Sequence, residues 1–157
     1  MRLFLKVVLF TLVAPGTVAG YLPYLLLRGD PGWRMEGARA VLGGPLILAG
    51  ALLYAWCAYV FARFGQWTPA PIDPPRQLVS RGLYARTRNP MYLGVITVVL
   101  GEALLFGSFR LLAYAGAVFA GFHAIVLLYE EPAHRRRFGA DFEGYCHRVP
   151  RWVPRFW

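Results

Sequence analysis

The sequence predicts an all-α fold, a polytopic transmembrane bundle of about four spans, on three observations. Hydrophobic residues make up 57% of the 157-residue chain and charged residues only 16%, against roughly 25% charged in soluble domains. A soluble domain of this size has too much surface to wet for such a balance. The apolar residues gather into four runs that approach or exceed the ~17–25 residues needed to cross the hydrocarbon. The basic residues behind the net charge of +9 flank these runs and form no continuous tract. That placement reads as topology information and makes the bilayer, not nucleic acid, the expected partner.

The first run, residues 3–27, is interrupted at Ala14-Pro15-Gly16 and at Pro23. Thr17-Val18-Ala19 resembles a leader cleavage site, but the apolar run continues through Tyr24-Leu25-Leu26-Leu27, so a retained, kinked span is expected. The second run covers residues 40–64, the third 91–106 and the fourth 111–129. Only Gly107-Ser108-Phe109-Arg110 joins the last two, which predicts a tight antiparallel hairpin. The chain is read as one domain: two spans (1–64), a loop (65–90), the hairpin (91–129) and a C-terminal segment (130–157).

Of the 17 Lys and Arg residues, Arg28, Arg34, Arg39 and Arg110 fall on one side of this stack. All the others, from Arg2 and Lys6 through Arg63, Arg76, Arg81, Arg86 and Arg88 to Arg135–Arg137, Arg148, Arg151 and Arg155, fall on the other. The positive-inside rule then places both termini in the cytoplasm. Trp67, Trp152, Phe156 and Trp157 stand where interfacial aromatics belong. Cys57 and Cys146 have no C-x-x-C or Cys/His spacing, so neither a disulfide framework nor a metal site is expected.

The loop and the tail carry the unusual chemistry. Residues 66–90 open with Pro69, Pro71, Pro74 and Pro75, which read as a stiff, extended strap. Asn89-Pro90 follows as an N-cap and first helical residue. A helix N-terminus beside arginines suits an anion, and Gly94 one turn on leaves room for a ligand or a neighbouring helix. At the far end of the hairpin stand Glu130 and Glu131, costly at a membrane boundary unless solvated or paired. Spacing offers Glu130 to His134 and Glu131 to Arg135 as helical pairs. The short hairpin puts both glutamates level with Asn89–Tyr92, so they are expected to face the arginines and close a polar pocket. Inside the spans, Glu102 and His123 are ionisable and, with Arg151, candidates for a substrate channel. Cys57 reads as packing. Gly43, Gly44, Gly50 and Ala51 in the second span, and Ala113, Gly116, Ala117, Ala120 and Gly121 in the fourth, read as helix-packing surfaces.

Gly82-Leu83-Tyr84-Ala85-Arg86-Thr87-Arg88-Asn89-Pro90-Met91-Tyr92-Leu93-Gly94 resembles the G-x-Y-x-x-x-R-[HN]-P-x-Y-x-G motif of isoprenylcysteine carboxyl methyltransferases and their bacterial relatives, a group similar to phospholipid methyltransferases. Glu130-Glu131, Phe138-Gly139, Tyr145 and Val149-Pro150-Arg151 resemble the C-terminal signature of the same family. The resemblance implies an integral methyltransferase of the bacterial inner membrane that uses S-adenosylmethionine without a Rossmann domain. Carried over position by position, it implies cofactor contacts at Gln77, Leu78, Val79, Tyr84, Asn89, Pro90, Met91, Tyr92 and Glu131, with Arg88, Glu130 and Arg151 as further motif positions. Asparagine stands at 89 where the eukaryotic members carry histidine, so this position holds a hydrogen-bonding amide and no titrating base.

Methyl transfer is an in-line displacement for which the cofactor brings its own activation, leaving the protein to orient, desolvate and bind charge. Arg88 with Asn89 could hold the cofactor carboxylate, Glu130 or Glu131 its ammonium and ribose, and Tyr84, Tyr92 and Leu78 its adenine. Catalytic candidates are Arg88, Asn89 and Glu130. The acceptor, lipophilic or small, stays open among carboxylate, thiol and amine, including a phospholipid amine. Two other classes stand beside this reading: a nicotinamide-dependent membrane reductase relative, and a non-enzymatic membrane assembly subunit.

Overall fold

A computed structural model describes residues 2–30, 37–60, 63 and 78–155, with side chains for all of these except 2–7 and 38. Of the positions singled out above, Arg34, Trp67, the prolines 69–75, Arg76, Gln77, Phe156 and Trp157 lie outside the described residues, as do the side chains of Arg2 and Lys6. The described residues are helical, with no strand. In order they form α1 (Arg2–Gly16), α2 (Leu22–Arg28), α3 (Gly37–Val60), α4 (Pro90–Phe106), α5 (Phe109–Ile125), α6 (Glu131–Phe138) and α7 (Ala140–Arg148).

Three continuous helical stretches are long and apolar enough to cross a membrane: Val8–Arg28, Arg39–Val60 and Phe109–Phe138. The fourth apolar helix, α4, has 17 residues, a length of about 25 Å against a hydrocarbon core of about 30 Å. Arg88 and Asn89 stand just before its first turn. Leucines and aromatics that no neighbour covers, such as Leu12, Leu48, Leu52, Leu112 and Leu128, are exposed on the outside of the bundle, where lipid is the solvent.

The first span is one helix with a defect, as its prolines foretell. A π-turn, Thr17–Tyr21, joins α1 to α2, and Ala19 inside it departs from helical geometry (φ −107°, ψ 15°). The cause is Pro23, which offers no N–H to the carbonyl four residues back and whose ring crowds it; that carbonyl belongs to Ala19. The Leu22 N–H bonds Thr17 O, a five-residue step. Tyr114 reaches in from α5 and donates its hydroxyl to Val18 O (2.8 Å).

The antiparallel contact of α3 with α4 is built on missing side chains. A Cβ on Gly50 would lie 2.7 Å from Gly94 O, one on Gly94 2.9 Å from Gly50 O, and one on Gly101 2.7 Å from Ile47. Gly94 thus makes room for a helix, not for a ligand. Gly43 belongs to the same stripe, packed on Leu105, whereas Gly44, Gly116 and Gly121 have open space around them. The α4–α5 hairpin turns at Gly107 in the left-handed region (φ 59°), and Ser108 caps α5 by accepting from Leu111 N–H. Ser108 also donates to Asp30 Oδ2 (2.6 Å), tying the hairpin to the end of the first span.

Candidate active site

The last long helix carries a second π-turn, Val126–Glu130, between α5 and α6. Pro132 stands in the same relation to it as Pro23 to the first: its missing donor withholds the α-helical hydrogen bond from Leu128 O, and Glu131 N–H bonds Val126 O, a five-residue step. A π-turn takes in one extra residue and so turns everything after it by ~100° relative to an uninterrupted α-helix. The two glutamates of the sequence motif sit at the exit of this turn.

The loop before α4 and the chain after α7 are stitched together. Gly82, at φ 60°, opens a short 3₁₀ turn to Ala85. Beyond it Arg88 N–H bonds Pro150 O (2.9 Å) and Arg155 N–H bonds Arg86 O (3.0 Å). Buried Thr87 donates to Arg151 O and Trp152 O (3.1 and 3.0 Å). Asn89 occupies the N-cap position of α4, but its side chain does not cap the helix. Its amide donates to Arg151 O (3.1 Å). From α7, Tyr145 donates its hydroxyl to Tyr84 O (2.6 Å); burial raises its pKa, so it remains a donor. Phe142, Tyr145 and Val149 pack on Leu78, Phe138 and Cys146, which brings the loop residues Leu78 and Val79 to the site.

Glu131 is the centre of the charge arrangement. Only 5% of it is exposed. Arg151 grips both its oxygens, Nε on Oε1 at 2.7 Å and Nη2 on Oε2 at 3.0 Å. Arg88 Nη1 donates to Oε1 at 2.8 Å and to Cys146 Sγ at 2.8 Å. Arg135 stands 3.9 Å away and spends its Nε on Glu143 (2.7 Å). The hydrogen bond to Glu131 raises the Arg151 pKa further. Arg88 Nε is buried without a hydrogen-bond partner among the described residues. Glu130 accepts instead from the Tyr92 hydroxyl, and its own carbonyl meets His134 Nδ1 (2.7 Å). The helical pairs expected from spacing are thus realised only in part: Arg135 is a distant partner of Glu131, and His134 meets the backbone of Glu130, not its carboxylate.

These groups border a cavity of about 220 Å³. Leu78, Val79, Tyr84, Arg88, Asn89, Met91, Tyr92, Glu130 and Glu131 all line it. Pro90 is buried beside them as the first residue of α4. The lining also includes Tyr145 of the C-terminal signature and residues that sequence reasoning left out: Phe10, Ala14, Pro15 and Val18 from the first span, Tyr54 from α3, Val95 from α4, Phe122 from α5, and Phe142 from α7. The only signal for those of the first span was the pair of prolines interrupting that run, since broken membrane helices tend to border cavities. Tyr92 and Phe122, with ring centroids 4.4 Å apart, line it too.

The channel candidates fall elsewhere. Arg151 is outside the lining and braces Glu131 from behind. His123 faces Trp152, whose indole N–H it accepts (2.9 Å). Glu102 is also outside the lining, with one carboxylate oxygen buried and unpartnered among the described residues. It lies twelve residues along α4 from Pro90, about 18 Å, and so nearer the far end of that short helix than its middle. Cys57 is fully buried against Val60, Val79 and Tyr84, as packing requires.

Fold and site define a class: a helical membrane protein whose cavity joins a buried ion-pair cluster to the apolar wall of a broken span. The family follows from comparison. The family model for phospholipid methyltransferase matches residues 38–141, and the chain belongs to that family; it is a membrane methyltransferase. Among curated proteins and solved structures, none matches the chain significantly. The matched stretch contains Arg88–Tyr92 and both glutamates and ends before Tyr145 and Arg151.

Proposed function

We propose that the protein transfers a methyl group from S-adenosylmethionine to a lipophilic acceptor at the cytoplasmic boundary of the membrane. The observation that carries this is the two-sided cavity, with Arg88, Asn89, Glu130 and Glu131 in its lining beside Phe10, Pro15 and Val18 of the first span. A water-soluble, charged cofactor and an apolar acceptor need such a meeting place.

The residues present fit the cofactor. Glu130 accepts a cation or a diol, and Arg88 Nε is a buried donor with no acceptor among the described residues, suited to a carboxylate. Tyr84, Leu78, Val79 and Phe142 supply an apolar slot for a base. S-adenosylmethionine, when bound, supplies a methyl group already activated on a sulfonium. The chain's part is then orientation and exclusion of water. Glu131, fixed by Arg88 and Arg151, holds the loop and tail at one spacing. Tyr92, donating to Glu130, aims that carboxylate, and the ring of Phe122 closes on Tyr92.

A specific feature bears on the acceptor. Arg88, Arg135 and Arg151 all direct charge onto Glu131, while Glu130 and Tyr92 offer the cavity oxygen. Such a lining suits an amine, whose proton a carboxylate can take, better than a carboxylate acceptor. The family's description, phospholipid methyltransferase, supports a phospholipid as the acceptor. The test is methyl transfer from labelled S-adenosylmethionine by purified protein, given an aminophospholipid or a prenylated cysteine in parallel. Label in the lipid amine is expected. Label only in the cysteine ester would reject the amine, and absence of S-adenosylmethionine binding would reject the cofactor.

A further inference from the structure

The dipeptide Arg151–Trp152 of the C-terminal segment touches the last long helix on both sides of its π-turn. After the turn, Arg151 grips Glu131 through both oxygens. Before the turn, Trp152 donates its indole N–H to His123 Nδ1 (2.9 Å) and packs its ring on Phe119 (centroids 5.1 Å). Phe119 and His123 are one helical turn apart and stack on each other (6.0 Å, 22°). The backbone of the dipeptide is held from a third direction by Thr87 and Asn89. An indole N–H can only donate, so His123 Nδ1 must be the acceptor and its ring proton must sit on Nε2.

A π-turn is a rare backbone state that needs support. Pro132 explains why the α-helical bond is missing, but not why the turn keeps one geometry. We propose that Trp152 and His123 are positioning residues, which together with Arg151 brace the Val126–Glu130 turn from both sides and so hold Glu130 and Glu131 toward the cavity. Their effect on cofactor binding rests on the function proposed above; the bracing itself does not.

The test uses the full chain in detergent, as wild type and as Trp152→Phe, His123→Leu and His123→Asn. Hydrogen exchange without cofactor is followed over residues 126–131 and 150–155, with α4 as the internal reference. Trp152→Phe and His123→Leu are expected to exchange about fivefold faster in those two segments and unchanged in α4, the size of one lost hydrogen bond. His123→Asn is expected to behave as wild type, since its amide oxygen stands in for Nδ1. In the same two variants KM for S-adenosylmethionine rises about fivefold while kcat stays within about twofold, and asparagine restores it. Unchanged exchange in Trp152→Phe overturns the proposal. So does equal acceleration in α4, or failure of asparagine to rescue. The expected exchange pattern in a protein that binds no S-adenosylmethionine leaves the brace standing and removes the cofactor reading.

Discussion

Two π-turns shape this molecule, and each precedes a proline by the same interval: Thr17–Tyr21 before Pro23 and Val126–Glu130 before Pro132. In both, the proline withholds the N–H that an α-helix would supply four residues back, and the helix answers by taking in an extra residue. What the turns carry differs. The first holds Thr-Val-Ala-Gly-Tyr and has no buried residue. One hydroxyl, that of Tyr114, serves its Val18 carbonyl, and it contributes Val18 to the cavity wall. The second ends in Glu130, followed by Glu131, and is surrounded by three arginines, a tyrosine and a tail. The same backbone defect thus makes an apolar wall in one helix and aims two carboxylates in the other. The difference teaches that the defect sets direction, while the residues beside it set chemistry.

The comparison can be broken most forcefully at Glu131. Glu131→Gln removes the charge that Arg88 and Arg151 share, leaving buried Arg88 uncompensated. Breaking a buried pair costs ~3–5 kcal/mol, and partial exposure of Arg151 (29%) lowers this toward about 2 kcal/mol. A fall in thermal midpoint together with loss of S-adenosylmethionine binding in calorimetry is expected. A variant that binds the cofactor as wild type removes Glu131 from the site.

Pro132→Ala returns a donor to Leu128 O and lets the second turn relax to α. With the glutamates rotated away, kcat/KM is expected to fall about 100-fold, as misplacement of catalytic geometry does, and the melting temperature to fall with it, because Glu131 leaves Arg88 and Arg151. Retained activity would show that the turn does not depend on its proline. Pro23→Ala is the matched change in the first span. Because that turn walls the apolar side, KM for the lipophilic acceptor should rise a few-fold, about 1 kcal/mol of lost contact, with the cofactor Kd unchanged. An effect on cofactor Kd as large as that of Pro132→Ala would erase the distinction between the two turns. The smallest effect is expected from Tyr114→Phe, which strips Val18 O of its hydroxyl and costs about 1 kcal/mol in stability with methyl transfer intact. Denaturation and turnover measured side by side check it.

Much of the site was legible because its residues are chemically conspicuous where they stand: Glu130 and Glu131 after an apolar run, and Arg88-Asn89-Pro90 before one. The tight hairpin was legible too, and it brings these two sets level. The function of particular atoms was not. Arg88 was expected to serve a ligand and instead spends Nη1 on Glu131 and Cys146, leaving Nε for one. Asn89 was expected to cap α4 and instead holds the tail. His123, a channel candidate by its place in the span, has Trp152 as a partner that no spacing predicts. Each of these partners lies at least 29 residues away in the chain, beyond the reach of any helical or turn period. The first span escaped notice as a cavity wall because Phe10, Ala14 and Val18 are the residues any lipid-facing helix would carry.

By itself the sequence determined that the chain is a helical membrane protein, where its helices run, where its prolines interrupt them and which motif it carries. These depend on solvent preference and on backbone chemistry, both of which act locally and are written in each residue. Only the tertiary structure decided that two broken helices, a loop and a tail enclose a common cavity, and that Glu131 is shared between Arg88 and Arg151. Those contacts join segments far apart in the chain, and their geometry follows from packing: α3 and α4 meeting at Gly50 and Gly94, and a π-turn rotating the last helix by ~100°.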